Sequence, residues 1–195
     1  MEVKPERTLV LIKPDAVERG LIGEIVQRFE KRGLKIIGMK LVKASRETAG
    51  RHYTEDPDWL LSIGQKARKS FEEKGIEVKE TDKQIGERVR TLLIGYVESG
   101  PIVAMVIEGP HAIETVRKIV GPTEPRTAPP GTIRGDYSID SYLLSDSTER
   151  PVKNLIHASG NEREAVSEIK VWFSENELHS YERSEEKAAF FKTWK

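Results

Sequence analysis

A single histidine in a short motif is the residue of this chain with the clearest potential for chemistry. His157 lies in the motif Asn-Leu-Ile-His-Ala-Ser-Gly at residues 154–160, between an apolar pair and a turn of small residues. The apolar pair is typical of a buried strand end, and Asn161 followed by Glu162 can begin a helix. A histidine at such a junction lies near a helix N-terminus, where anions bind readily. The motif therefore indicates a nucleophile that reacts with an anionic group.

Basic side chains accompany a loop upstream of this histidine. Residues 121–136 are rich in glycine, proline, threonine and arginine. Basic residues in or near this loop are Arg117, Lys118, Arg126, Arg134 and Lys153, and a further one, Lys13, precedes Pro14. The whole chain carries 32 basic and 32 acidic side chains. A local basic cluster in a neutral protein favours a site for a small anion over a surface that binds nucleic acid along its length. Arginine suits phosphate because its planar fork donates hydrogen bonds in pairs.

Each of these residues also has an ordinary structural interpretation. Lys13 could end a strand in solvent, and Arg117 could form a weak exposed helix pair with Glu114. Glu168 falls in a helix with an apolar stripe, where a solvent-facing glutamate would be unremarkable. A lone histidine is most often a partly buried or surface residue. Only the ordered set of motifs favours the catalytic interpretation.

That ordered set resembles the nucleoside diphosphate kinase family. In that family the histidine of the motif Asn-x-x-His-(Gly/Ala)-Ser takes a phosphoryl group from a nucleoside triphosphate and passes it to a diphosphate. The resemblance implies ping-pong transfer from a donor such as ATP to GDP or another diphosphate. The matching pieces run almost from end to end of the chain: residues 8–15, 51–53, 99–105, 121–136, 154–159, 168–169 and 172–173.

The resemblance also implies roles for individual residues. His157 would be phosphorylated, Glu168 would orient its ring from eleven residues downstream, and Ser159 would support the pair. The residues expected to contact the nucleotide phosphates or sugar are Lys13, Tyr53, Arg117, Thr123, Arg134 and Asn154. Lys13 and the two arginines would stabilise the charge of the transition state, since phosphoryl transfer depends mostly on positioning and electrostatics.

The expected cofactor is Mg²⁺, bound with the nucleotide phosphates. The chain has no carboxylate cluster typical of a dedicated metal site, and Mg²⁺ usually keeps several waters while bridging phosphate oxygens. The family also implies a homo-oligomer, with a hexamer as the expected state.

A rival interpretation is an RNA-binding module of the same fold, but the strands at residues 8–12 and 102–108 lack stacking aromatics. A P-loop kinase is disfavoured because the Gly-x-x-x-x-Gly-Lys-Ser/Thr motif is absent from the sequence.

Length and composition agree with one enzyme domain spanning residues 1–195. With 37% apolar residues among 195, a core of ordinary size can form. The sequence contains no cysteine, so disulfides and thiolate metal sites are excluded. Residues 1–5 lack an apolar signal region, and no apolar run approaches the length of a membrane span. We therefore expect a cytoplasmic protein.

The periodicity of apolar residues predicts an α+β fold. Four strands are expected at residues 8–12, 34–42, 102–108 and 152–157, and helices at residues 21–31, 46–54, 112–120 and 162–173. The order βαββαβ is that of a ferredoxin-like sandwich, an antiparallel sheet covered by helices on one face. Because this fold serves many functions, the function depends on the site and not on the fold.

Two segments depart from the compact family pattern. One insertion spans residues 55–90, where 17 of 36 residues are charged and Trp59, Leu60, Ile63 and Phe71 are spaced for a helix that packs onto the domain. The other spans residues 137–152. Both fall near the expected nucleobase, so the base-stacking residue stays open, with Trp59 or Leu60 below the base and Pro151 or Val152 above it.

Overall fold

A four-stranded antiparallel sheet forms the centre of the protein in the computed structural model. The structure describes residues 4–184 and residue 186; the N-terminal segment without a signal region therefore lies partly outside the described residues. The strands are β1 (Glu6–Ile12), β2 (Lys35–Val42), β3 (Ile102–Gly109) and β4 (Ile156–Ala158), in the spatial order β2-β3-β1-β4. The predicted ferredoxin-like α+β fold is confirmed.

Helices connect these strands and are longest in the first insertion. They are α1 (Pro14–Glu18), α2 (Ile22–Lys31), α3 (Arg46–His52), α4 (Pro57–Glu73), α5 (Asp82–Glu98), α6 (Ala112–Val120), α7 (Ile133–Tyr137), α8 (Tyr142–Ser147) and α9 (Glu162–Trp172). Short 3₁₀ turns occur at Pro125–Thr127 and Glu175–Glu177. Within residues 4–184 and residue 186, no helix combines the length and apolar character needed to cross a membrane.

Both faces of the sheet are buried, so the prediction of helices on one face is wrong. One core includes Phe29 of α2 and Val116 of α6. The other includes Ala49 of α3, Ile94 of α5 and Trp172 of α9. The reason lies in β1 and β3, whose side chains are apolar on both faces and buried along most of their length. A strand without alternation of apolar and polar residues needs cover on both sides.

The last strand is shorter than predicted and begins four residues later. It spans Ile156–Ala158, where His157 lies opposite Leu11 of β1. Residues 152–155 do not join the sheet because Leu155 has a left-handed backbone with φ of 68°. That conformation interrupts an extended strand. His157 is therefore the middle residue of an edge strand, and its side chain lies on the face covered by α3 and α9.

The first insertion forms a hairpin of two helices rather than a single helix. Asp56 accepts hydrogen bonds from the amides of Asp58 and Trp59 at the start of α4, and Thr81 with Gln84 forms a capping box at the start of α5. The two helices approach very closely at Gly64 and Gly86. A Cβ at Gly64 would lie 1.7 Å from the Asp82 carbonyl oxygen, so only glycine permits this packing.

Candidate active site

The predicted site residues converge on one cavity of about 580 Å³. This volume is within the range typical of small-molecule sites. The cavity is lined by eight of these residues: Lys13, Tyr53, Arg117, Thr123, Arg134, Asn154, His157 and Glu168. Ser159 lies behind the cavity wall and is fully buried. Residues far apart in the sequence thus form one site between the sheet, the helical hairpin and the second insertion.

The ring of His157 is held by a carboxylate. His157 Nε2 lies 3.0 Å from each oxygen of Glu168 on α9, and Ser159 Oγ donates to Glu168 Oε2 over 2.6 Å. Burial opposes the ionisation of Glu168, but the charge and hydrogen bond of His157, with the bond from Ser159, lower its pKa to about 2. The carboxylate therefore favours the tautomer with the proton on Nε2, which leaves Nδ1 as the unprotonated ring nitrogen.

A second histidine packs against His157 and was not predicted as a site residue. The rings of His52 and His157 lie 4.5 Å apart between centroids and are nearly perpendicular. Trp172 Nε1 donates to His52 Nδ1 over 3.3 Å, so the His52 proton must lie on Nε2. Burial, and then the charge of His157, lower the pKa of His52 to about 3, so this residue stays neutral. His52 therefore packs against His157 as a neutral side chain.

His52, His157 and Glu168 have the residue types and the spacing of a possible metal site. Their potential ligand atoms lie within 4.8 Å of one another. A metal-binding histidine normally donates its second ring N–H to an acceptor. Trp172 is a donor toward His52 Nδ1, so metal binding at Nε2 would cost that hydrogen bond. The geometry thus favours hydrogen bonding of His52 to Trp172, and of His157 to Glu168, over a metal site.

Lys13 and Asn154 form the floor of the cavity. Lys13 Nζ donates to Asn154 Oδ1 over 2.8 Å, and Asn154 Nδ2 donates to the carbonyl of Thr123 over 2.9 Å. Lys13 is 5% exposed. Burial, followed by the charge of Arg134, lowers its pKa to about 7, although Asp15 opposes the shift. The ammonium is therefore weakly solvated and available to an incoming anion.

Arg134 is anchored by the backbone around it. Its guanidinium donates to the carbonyl oxygens of Gly121 at 2.8 Å, Asn154 at 3.1 Å and Ile156 at 2.6 Å. Burial lowers the pKa of Arg134 to about 10, with a further contribution from the charge of Arg117, so it remains positive at neutral pH. Since a guanidinium has five N–H donors, these bonds leave two donors for a ligand.

The other end of the cavity is more apolar. Tyr53 is buried, and its ring centroid lies 6.3 Å from that of Trp59. Trp59, Pro151 and Val152 line the cavity, whereas Leu60 is 5% exposed and does not line it. The backbone of Leu60 packs against Gly86 of α5. Of the two candidates below the base, the geometry thus favours Trp59.

The segments at residues 55–90 and 137–152 supply much of this wall, and most of its residues were not predicted as site residues. The lining residues from the hairpin and from the second insertion include Ser62, Ile63, Lys66, Ser70, Phe71, Arg88, Tyr142, Ser145, Asp146 and Arg150. The amphipathic pattern of α4 was the available signal, but it could not distinguish an apolar residue facing the cavity from one facing the core. The contact between these two segments joins residues that are far apart in the sequence, so no local pattern could predict it.

Fold and site together define a class of protein, a phosphotransferase. A histidine paired with a carboxylate lines the same cavity as the buried cations Lys13 and Arg134 on an α+β sandwich. The comparisons with known proteins agree. The family model described as nucleoside diphosphate kinase matches residues 6–59 and 82–178. A nucleoside diphosphate kinase from Pyrobaculum aerophilum is 52% identical over 178 residues, which cover 89% of this chain and 97% of that protein.

Two solved structures add to this similarity. One is a transition state mimic of nucleoside-diphosphate kinase from Borrelia burgdorferi with bound vanadate and ADP, with a TM-score of 0.81 and 38% identity over 94% of this chain and 96% of that chain. The other is a halophilic nucleoside diphosphate kinase from Halobacterium salinarum in complex with CDP, with a TM-score of 0.69 and 36% identity over 95% and 98% of the two chains.

The chain belongs to the nucleoside diphosphate kinase family. The enzyme class and the phosphoryl transfer between nucleotides that the sequence predicts are thereby confirmed. The family model leaves residues 60–81 unmatched, and these residues comprise most of α4 and the turn to α5.

Proposed function

We propose that His157 carries the phosphoryl group, on its Nδ1 atom, between a nucleoside triphosphate and a nucleoside diphosphate. The observation that carries this proposal is the contact of His157 Nε2 with both oxygens of Glu168 at 3.0 Å. Because that contact occupies one ring nitrogen, the other is left as the nucleophile toward the cavity. The Nδ1 lone pair attacks the γ-phosphorus, the bond to the leaving diphosphate breaks, and the acceptor diphosphate later reverses the step.

The neighbouring residues take the roles that their positions support. Lys13 and Asn154, bonded to each other, would contact phosphate oxygens at the floor of the cavity. Arg117 and Arg134 would neutralise charge that develops on the transferred group. The phenol of Tyr53 and the backbone around Thr123 lie where they can contact the sugar or phosphates. Trp59 would stack on the base.

Mg²⁺ would arrive with the nucleotide. The carboxylates lining the cavity are already paired: Glu168 with His157, Asp146 with Lys74, and Glu164 with the Gly160 amide and Asn161. This donor set suits an ion held by phosphate oxygens and water rather than by protein carboxylates. The ion would neutralise phosphate charge, while Lys13 and the arginines hold the oxygens in line with His157.

We also propose a homo-oligomer, with a hexamer as the expected state. Edge strand β2 supports a subunit contact, because Met39 is 49% exposed and Leu41 is 64% exposed. Exposed apolar side chains on an edge strand are a typical surface for association. The location in the cytoplasm stays a prediction.

We further propose that the segments at about 55–90 and 137–152 are insertions of a single domain that form walls of the nucleotide site.

The decisive experiment is incubation of the protein with γ-labelled ATP and Mg²⁺ in the absence of an acceptor. We expect an acid-labile, base-stable label that disappears when GDP is added. His157→Ala should abolish the label, whereas His179→Ala, which removes an exposed histidine, should retain it. Transfer at the native rate by the His157→Ala protein would disprove the proposal.

A further inference from the structure

Leu155, between Asn154 and His157, has a backbone that leucine rarely adopts. Its φ is 68°, and its side chain is fully buried. A left-handed conformation in a residue other than glycine costs on the order of 1 to 3 kcal/mol and persists only where the surroundings hold it. Asn154 directly precedes this residue and His157 follows two positions later, so its conformation affects how both side chains project.

The residues that hold Leu155 come from the end of β1 and the start of α1. The amide of Lys13 donates to the Leu155 carbonyl over 2.8 Å. The amide of Leu155 donates to Asp15 Oδ2 over 3.1 Å. Asp15 is 7% exposed, so this bond is buried. Without the carboxylate the amide would have no acceptor in the described structure, and an unpaired buried N–H is costly.

The other oxygen of the same carboxylate and the hydroxyl of Tyr96 are both buried, and Tyr96 interacts with Asp15 through charge and a side-chain hydrogen bond. Burial, followed by the charge of Asp15, raises the pKa of Tyr96 and keeps its phenol protonated. The ring of Tyr96 lies beneath Lys13, with Nζ 5.2 Å from the ring centroid. Asp15, Tyr96 and Lys13 therefore form one buried cluster under the cavity floor.

We propose that Asp15 is a positioning residue for phosphoryl transfer: its buried carboxylate holds the left-handed Leu155 peptide and supports the charge of Lys13. Asp15 thereby orients Asn154, directly before Leu155, and His157, two residues after it, toward the nucleotide phosphates. This inference rests on the proposed roles of Lys13 and His157. Asp15 does not contact the substrate in this arrangement and acts through these neighbours.

The electrostatic part of the proposal concerns the groups around Lys13. Asp15 from α1 raises its pKa, and Arg134 from α7 lowers it. His52 from α3 also interacts with Lys13 but is kept neutral by burial, with a pKa lowered to about 3. Tyr96 from α5 is a protonated phenol. Asp15 is thus the negative group that offsets Arg134 at this position.

Two substitutions separate the hydrogen bond from the charge. Asp15→Asn keeps an oxygen that can accept from Leu155 but removes the negative charge. Asp15→Ala removes both. For Asp15→Asn we expect the alkaline limb of kcat/KM to move to lower pH by roughly one unit, because Lys13 loses its favourable neighbour. For Asp15→Ala we expect the rate of His157 phosphorylation to fall further, by roughly tenfold or more, because the nucleophile is misplaced.

The matched control is Asp136→Asn on α7. Asp136 also accepts a backbone N–H, from Gly131 at 2.8 Å, and pairs with Arg28 at 2.6 Å, but it does not line the cavity. We expect this variant to lose stability without a change in the pH profile. Labelling of His157 by γ-labelled ATP and the pH dependence of kcat/KM are measured for all variants and for the unmodified protein.

The outcomes distinguish this inference from the proposed function. If the unmodified protein takes no label on His157, the proposed function fails. If the unmodified protein is labelled and Asp15→Asn shows the native rate and the native pH profile, the positioning role of Asp15 is disproved. The second outcome applies even if the Asp15→Ala protein does not fold.

Discussion

Lys74 Nζ lies 2.7 Å from Asp146 Oδ2, and this ion pair joins the two inserted segments beside the cavity. Lys74 directly follows α4, and Asp146 belongs to α8 and lines the cavity. The first insertion thus contacts the second through charged side chains as well as through shared lining residues. The pair is partly exposed, so its own energy is modest, about 1 kcal/mol or less. Its importance is that it connects two walls of the nucleotide site.

We predict that Lys74→Met raises the KM for nucleotides by a few fold and leaves His157 labelling at saturating ATP close to the native rate. Loss of the connection should let the walls separate more often, which weakens binding but leaves the nucleophile in place. Stopped-flow labelling at several ATP concentrations measures both quantities. Lys83→Met, which removes an exposed lysine 3.9 Å from Glu87 on α5, is the control. An unchanged KM in the Lys74→Met protein would contradict the role of the connection.

A second prediction concerns the partner of the nucleophile. Glu168→Gln should slow phosphorylation of His157 by about fivefold, because a hydrogen bond to a charged group is stronger than a neutral one by about 1 kcal/mol. The defect should be milder than that of His157→Ala, since the ring keeps a partner. Single-turnover labelling with γ-labelled ATP measures the rate. A loss as complete as that of His157→Ala would show that Glu168 does more than orient the ring.

Lys13 predicts a specific dependence on pH. Because its pKa is lowered to about 7, the nucleotide-free enzyme has a charged Lys13 below about pH 7 and a neutral one above it. Phosphate binding favours the charged form, so kcat/KM should fall as pH rises through this value. At pH 8 the binding of a diphosphate should then take up a proton. Calorimetry in two buffers of different ionisation enthalpy detects this proton uptake as a difference in binding heat. Lys13→Met should abolish the difference. Equal heats in the two buffers for the native protein would exclude proton uptake.

Substitutions of the adjacent residues Trp59 and Leu60 should have different effects, one on nucleotide binding and the other on stability. Trp59→Ala should weaken nucleotide binding by roughly 1 to 3 kcal/mol, the usual value of stacking between a base and an aromatic ring. Leu60→Ala should instead lower the free energy of unfolding by roughly 2 to 5 kcal/mol, because this side chain is buried outside the cavity. Nucleotide KM values and thermal unfolding of both variants provide the comparison. The reverse pattern would place the base on Leu60.

Base selectivity should be weak, because the lining near Trp59, Pro151 and Val152 is apolar and stacking tolerates any base. Purine and pyrimidine diphosphates should both discharge the labelled protein. Competition between GDP and CDP for the phosphorylated protein measures the preference. Strict use of one base would implicate polar groups of the insertions, such as Lys66 or Ser145.

Much of the site could be predicted from the sequence because its chemistry is concentrated in short motifs. His157, Asn154 and Ser159 lie within six residues, and Glu168 lies eleven residues after His157 along the next helix. Local segments of this kind keep their relative geometry whenever the strand and helix form. The four strands and the helices α2, α3, α6 and α9 could be predicted for the same reason, since apolar periodicity records which side of an element is buried.

Only the tertiary structure decided the features that depend on distant segments. The left-handed Leu155 shortens β4, and it is held by Asp15 from 140 residues away. His52 lies against His157 because α3 and α9 cover the same face of the sheet. The insertions could be recognised by their length, but their contact through Lys74 and Asp146 could not. A sequence pattern reports whether a side chain is buried, whereas its partner is set by how whole elements pack. This is why the motif residues could be predicted, whereas the contacts of Leu155, His52 and Lys74 could not.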